Sequence, residues 1–118
     1  MNLSVFLETL FSPEGDQELT HQIAYNFAWF GGNSDENRKE IYKLIKKFYN
    51  LRSKIVHGDI PNQDKLVELT PEIFLLCAEC LKKILSSEEL IQIFNDSFKR
   101  KSYFEKFMFD SEIRDFIN

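Results

Sequence analysis

Residues 34–58 carry the longest uninterrupted helical pattern in the chain, and this stretch restricts the fold more than any other. Its apolar side chains recur at spacings of three and four residues over about six turns. They are Ile41, Leu44, Ile45, Phe48, Leu51 and Ile55. Ser34 or Asp35 is a typical N-cap at the start, and Gly58 stops the helix. A long helix with one apolar stripe requires other helices to cover that stripe.

The rest of the chain repeats this periodicity in shorter segments. The spacing predicts helices over residues 3–11, 16–30, 71–85 and 88–98, with shorter pieces at 64–69 and 110–117. Thr70 and Pro71 predict a new helix start, and the apolar circumference of 71–85 predicts a central position. No segment alternates with the period of a strand. The prediction is therefore one all-α domain over residues 1–118, a bundle of four main helices with short additional C-terminal helices.

Composition excludes several classes of protein. Hydrophobic residues make up 43% and charged residues 29%, which is typical of a globular domain. No apolar run approaches the ~20 residues of a membrane span, and the N-terminus lacks the features of a signal peptide, so we expect a cytoplasmic protein. Cys77 and Cys80 lie inside an apolar helical run without a second ligand pair. We therefore expect a structural role for both thiols, with no metal and no cofactor.

The positive charge of the chain is concentrated in its longest helix. The net charge is −4, which argues against broad electrostatic capture of nucleic acid. Seven of the fifteen cations nevertheless lie between Arg38 and Lys54. Two interpretations remain open: a solvated helix face, or an RNA-binding surface. In the second case the contacts would come from Lys43, Lys46, Lys47 and Lys54.

Arg52, Ser53 and His57 combine a fixed cation, a hydroxyl and a titratable imidazole at the end of this helix. Arg52 can clamp a phosphate, His57 can move a proton at a ribose 2′-hydroxyl or a 5′-oxygen, and Ser53 can orient either group. Residues five apart on a helix lie about 140° apart, so Arg52 and His57 do not share a face. Two copies across a two-fold axis would bring both residue types together. Alternatively, Arg52 pairs locally and His57 only ends the helix.

The helix end RSKIVHG, preceded by KKFYNL, resembles the Apea-like HEPN domains of the HEPN superfamily. The likeness covers about residues 3–85, where LETLF and residues 19–30 are similar to the first two helices of that family. The helical tail at about 88–118 lies outside it. The resemblance implies an all-α bundle, usually dimeric, and in active members a metal-independent endoribonuclease of defence or toxin–antitoxin systems. Arg52 and His57 match the motif residues, and Ser53 stands where many active members have Asn, Asp or His.

Three functions follow from these patterns. The first is a ribonuclease whose site is shared by a homodimer. The second is a catalytically inactive module that binds RNA, a nucleotide or a protein. The third is an antitoxin-like or regulatory protein whose aromatic C-terminal tail docks on another chain.

Overall fold

The described helices pack around the helix Leu19–Gly31, and most of them contact it directly. A computed structural model describes residues 3–11, 19–56, 58 and 63–108. These residues form α1 (Leu3–Phe11), α2 (Leu19–Gly31), α3 (Asp35–Val56), α4 (Gln63–Leu85), α5 (Glu88–Phe94) and α6 (Ser97–Met108). No strand occurs within the described ranges. The predicted all-α bundle is confirmed.

The centre of the bundle is α2. Its residues 23–28 are all buried, so neighbours cover the helix on every side. α3 forms the most extensive contact with α2, and α1, α4 and α6 cover the remainder. The prediction that residues 71–85 lie at the centre is wrong. α4 buries one face against the bundle and exposes Phe74, Leu75, Leu81 and Leu85, because the described helices pack on that one face only.

Phe11 joins four helices in one aromatic cluster. Its ring centroid lies 5.0 Å from that of Phe27 and 6.0 Å from that of Phe30, both on α2. The rings of Phe94 on α5 and Phe104 on α6 lie 5.9 Å and 5.7 Å away. Tilted and edge-on contacts of this kind add about 0.5–1.5 kcal/mol each to the burial of the rings. The cluster therefore fastens both the first helix and the last described helix to α2.

The ends of α3 follow the sequence pattern. Ser34 Oγ accepts a hydrogen bond of 3.1 Å from the Asn37 N–H, which identifies Ser34 as the N-cap. At the other end, Gly58 has a φ of 93° and donates its N–H to Ile55 O at 2.9 Å. A side chain disfavours that backbone conformation, so glycine is the residue that suits this turn.

The predicted helix start at Thr70 and Pro71 is wrong, because α4 runs without interruption through both residues. Thr70 Oγ1 donates to Leu66 O at 2.8 Å, within the helix, and does not cap a new one. Proline fits a helical φ, but inside a helix it removes one N–H donor and its ring crowds the carbonyl four residues earlier. Leu66, Leu69 and Ile73 pack on the core on both sides of Pro71 and offset this cost.

The predicted helix over residues 88–98 is two helices. α5 ends at Phe94, and Asp96 starts α6 by accepting hydrogen bonds from the N–H groups of Phe98 and Lys99 at 2.9 Å and 3.2 Å. The helical tail thus packs on its own chain as far as α6, where Phe104 is only 6% exposed. The predicted turn at 110–117 lies outside the described residues. The docking role predicted for the tail stays a prediction, and Phe98 on α6 is an exposed aromatic residue that such docking could use.

We expect Phe104→Ala to lower the free energy of unfolding by about 3–5 kcal/mol, because it removes a buried ring of the aromatic cluster. Phe98→Ala on the same helix is the control, since that side chain is 76% exposed. It should change stability by no more than about 0.5 kcal/mol. Urea unfolding measures both, and a small loss for Phe104→Ala would show that α6 is not part of the core.

Cys77 and Cys80 are free thiols that are 0% and 2% exposed. Burial raises the pKa of each from 9.0 to about 12. Between these values the unfolded chain loses thiol protons that the folded chain keeps. The free energy of unfolding therefore keeps its full value below pH ~9. Above that pH it falls, by up to about 1.4 kcal/mol per pH unit for each thiol. The Cys77→Ala variant should show a shallower fall in urea unfolding at alkaline pH, and an unchanged slope would contradict the assignment.

Candidate functional site

Arg52, Ser53 and Lys54 lie in the last two turns of α3, and all three side chains are exposed. Within the described ranges, no carboxylate lies within 4.0 Å of the Arg52 guanidinium. The alternative that Arg52 pairs locally thus finds no partner in the described part of the chain. The guanidinium is presented to solvent with its donor fork available for a phosphate or carboxylate.

Arg52 continues the core-facing stripe of α3 beyond the core. It follows Phe48 by one turn, and Ile41, Ile45 and Phe48 are all buried. The arginine therefore stands at the edge of the bundle, where the stripe passes from the core to solvent. A long cationic side chain is suited to this boundary, since its stem covers apolar surface while its charged end reaches water.

Tyr49 lies beside Arg52 and is a residue that the sequence did not predict for the site. It is 9% exposed, and its hydroxyl has no hydrogen-bond partner among the described residues. Burial raises the pKa of Tyr49 far above its usual range, the charge of Glu8 raises it further, and the charge of Arg52 opposes the rise. The hydroxyl is thus neutral and close enough to Arg52 to respond to its charge. The sequence signal that could have indicated Tyr49 is the presence of an aromatic residue three positions before the arginine.

His57 lies outside the described residues. Its predicted position on the face of Ser53, and its role as the proton-transfer group, therefore stay predictions. In the sequence, His57 lies between Val56, the last residue of α3, and Gly58.

The predicted RNA-binding lysines do not all share a surface with Arg52. Lys43, Lys47 and Lys54 are exposed and lie within about 40° of one another on α3, and we call these three residues the lysine face. Arg52 points about 140–180° away from them by the same helical geometry. Lys46 is half-buried at the border, with its ammonium nitrogen 5.8 Å from the centre of the Tyr42 ring.

Arg38, the first cation of the basic stretch, has a structural position. Its guanidinium carbon lies 4.1 Å from the centre of the Trp29 ring, and Nη1 lies 3.9 Å from Asp35 Oδ1. Stacking on an indole and pairing with a carboxylate hold this side chain against α2. Within the basic stretch, the exposed cations available for a ligand are therefore Lys39, the lysine face and Arg52.

The electrostatics of the helix end limit what can bind there. The C-terminus of a helix carries partial negative charge and disfavours anions. A phosphate near Arg52 must consequently be held by side-chain cations, because the backbone N–H groups that bind anions lie at the opposite end of a helix. Within the last two turns of α3, Arg52 supplies that charge, since Lys54 points to the opposite side of the helix.

Comparison with protein-family models, with curated proteins and with solved structures finds no match to this chain. None of the helices in the described ranges is long and apolar enough to cross a membrane.

The unpartnered hydroxyl of Tyr49 leads to a prediction about stability. Tyr49→Phe should leave the free energy of unfolding unchanged or raise it by about 1 kcal/mol, because a buried hydroxyl without a partner is removed. Tyr42→Phe is the matched control, since a hydrogen bond of 2.7 Å joins Tyr42 Oη to His21 Nδ1. That variant should lose about 1 kcal/mol. A marked loss for Tyr49→Phe in urea unfolding would show that its hydroxyl has a partner.

Proposed function

We propose that this chain is a metal-independent endoribonuclease of the HEPN type, with its site shared between two copies of the α3 end. The observation that carries the proposal is the exposed Arg52 guanidinium, which has no carboxylate partner among the described residues and adjoins Ser53. This is the arginine that the resemblance to Apea-like HEPN domains selects. His57 follows it by five residues.

The three site residues divide the proposed reaction between them. His57 takes the proton of a ribose 2′-hydroxyl, whose oxygen attacks the adjacent phosphorus, and the bond from phosphorus to the 5′-oxygen breaks. The imidazolium formed on His57 then donates its proton to the departing 5′-oxygen, and the 2′-oxygen stays bonded to phosphorus in a cyclic phosphate. Arg52 binds the non-bridging oxygens and stabilises the charge that builds on them. Ser53 orients the imidazole or the phosphate. The protein residues thus supply acid, base and cation.

The arrangement on α3 supports a shared site. Arg52 lies about 100° from Ser53 and about 140–180° from the lysine face, so one RNA strand cannot contact all three directly on one straight helix. A two-fold axis near the helix ends would place Arg52 of one copy opposite Ser53 and His57 of the other. The lysine faces would then guide the strand toward the cleft from both sides. A defence or toxin–antitoxin role is the biological context that the resemblance implies.

A second candidate is a catalytically inactive HEPN module that binds RNA through the lysine face. Its support is the exposure of Lys43, Lys47 and Lys54 on one side of α3, away from Arg52. Such binding would not need His57. Ser53, in the place of the Asn, Asp or His of many active HEPN proteins, is in keeping with this alternative.

Cleavage of transfer RNA and ribosomal RNA in the presence of a chelator tests the first candidate. We expect Arg52→Ala and His57→Ala each to slow cleavage by at least about a hundredfold, because each removes a group that acts in the transition state. The double variant should be little worse than either single one. Lys101→Ala is the control, an exposed lysine on α6, and should keep full activity. Absent cleavage by the wild type, or cleavage that His57→Ala leaves unchanged, would reject the ribonuclease.

Binding to the same RNAs tests the lysine face under either candidate. Reversing Lys43, Lys47 and Lys54 to Glu should weaken RNA binding by at least about tenfold and flatten its salt dependence, because fewer counterions are released. The control reverses Lys99, Lys101 and Lys106, which are exposed on α6, and changes the net charge equally. Equal weakening by both triple variants would show that only total charge matters.

A further inference from the structure

α4 carries a second apolar stripe that faces solvent. It consists of Val67, Pro71, Phe74, Ala78, Leu81 and Leu85, and we call these six residues the α4 seam. Val67, Phe74, Leu81 and Leu85 are 68%, 48%, 40% and 63% exposed. The core-facing residues of the same helix, Ile73, Cys77, Cys80 and Ile84, form a separate stripe. The α4 seam is thus left uncovered by the described helices, which pack on the other face of α4.

The spacing of the α4 seam identifies the kind of surface that fits it. Its residues follow one another at intervals of four, three, four, three and four. This alternation keeps apolar side chains on one side of a helix over about two and a half heptads, and it is the pattern by which two helices interlock side by side. The partner surface is therefore another helix with the same spacing.

The charges beside the α4 seam indicate which helix fits the seam and whether it runs parallel or antiparallel to α4. Glu68, Leu75 and Lys82 lie at heptad intervals along one edge of the seam, and all three are exposed. When a second α4 runs antiparallel about a two-fold axis near Leu75, each Glu68 lies opposite Lys82 of the other copy. The two Leu75 side chains then meet at the axis. In a parallel pair, Glu68 would be level with the other Glu68, and Lys82 with the other Lys82.

The same antiparallel register matches the apolar residues in size. Phe74 lies opposite Ala78 of the other copy, so the largest side chain of the seam meets the smallest. Val67 lies opposite Leu85, and Pro71 opposite Leu81. Within the chain, Lys82 Nζ is 3.4 Å from Glu79 Oε1, but both side chains are more than 70% exposed, and such a pair is weak. Lys82 is therefore available to a partner.

We propose that the α4 seam is a homodimer interface in which two α4 helices pack antiparallel about an axis at Leu75. This inference rests on α4 alone and does not depend on the ribonuclease. The antiparallel register sets the two Gln63 residues ~36 Å apart, from 24 residues at 1.5 Å each. The interface is thus distinct from a contact between two α3 ends, and a protein that uses both contacts forms an assembly larger than a dimer.

Sedimentation equilibrium from about 1 to about 100 µM protein tests the interface. Leu81→Glu should raise the Kd of self-association by at least about a hundredfold, because two carboxylates enter an apolar seam. Ile91→Glu on α5 is the matched control, since Ile91 and Leu81 are each 40% exposed. It should leave the Kd unchanged, and circular dichroism should show that both variants are folded. A wild type that is monomeric throughout, or an equal effect of both substitutions, would overturn the proposal.

Charge reversal tests the antiparallel direction. Glu68→Lys and Lys82→Glu should each raise the Kd about tenfold, because two attractive pairs become repulsive. The double variant should restore the wild-type Kd, since the pairs reform with their charges exchanged. A double variant that associates more weakly than either single one would overturn the antiparallel register.

Cross-linking locates the axis. Leu75→Cys should be joined to its copy by a short bis-maleimide, whereas Leu85→Cys, which faces Val67 of the other copy, should not. The native thiols do not interfere, because burial raises the pKa of both Cys77 and Cys80 to about 12. Cross-linking of Leu85→Cys but not Leu75→Cys would indicate a parallel pair and contradict the proposal.

Discussion

Burial of α2 on all sides is the constraint on which the rest of the structure depends, and Phe11 is the side chain that completes it. Phe11 closes one end of α2 by packing on Phe27 and Phe30, and it also reaches Phe94 and Phe104 on the last two described helices. Asn26, buried on α2, donates its side-chain N–H to Phe11 O at 2.9 Å. The backbone carbonyl at the C-terminal end of α1 thus has a hydrogen-bond donor inside the core, where an unpaired carbonyl would be destabilising.

This core positions α3 without burying its end. α3 packs on α2 and α4 along the stripe of Ile41, Ile45 and Phe48, and the stripe reaches solvent at Arg52. A rigid helix therefore presents a guanidinium at the edge of the bundle, next to a buried and neutral tyrosine. The lysine face lies on the other side of the same helix. The two cationic surfaces on opposite sides of one helix support the proposal that two chains share the site.

The sequence predicted α3 well because its signals agree with one another. A serine cap, one apolar stripe and a terminal glycine all indicate the same helix, and Ser34 and Gly58 occupy the places expected of them. The sequence failed where local signals compete with packing, as at Pro71, which lies within a continuous α4. It also failed for the exposed side of α4, because an apolar pattern does not state which neighbour covers it. Tyr49 was missed for a similar reason, since its burial beside Arg52 results from the packing of α1 and α4.

The central claim is that Arg52 of one copy acts with His57 of another, and subunit mixing tests it most directly. The Arg52→Ala and His57→Ala variants are each expected to be inactive in RNA cleavage. After the two are mixed and allowed to exchange subunits, half of the dimers should be mixed, each with one intact site, so activity should recover to about a quarter of the wild-type value. Mixtures that stay inactive although mixed dimers have formed would contradict a site shared between chains.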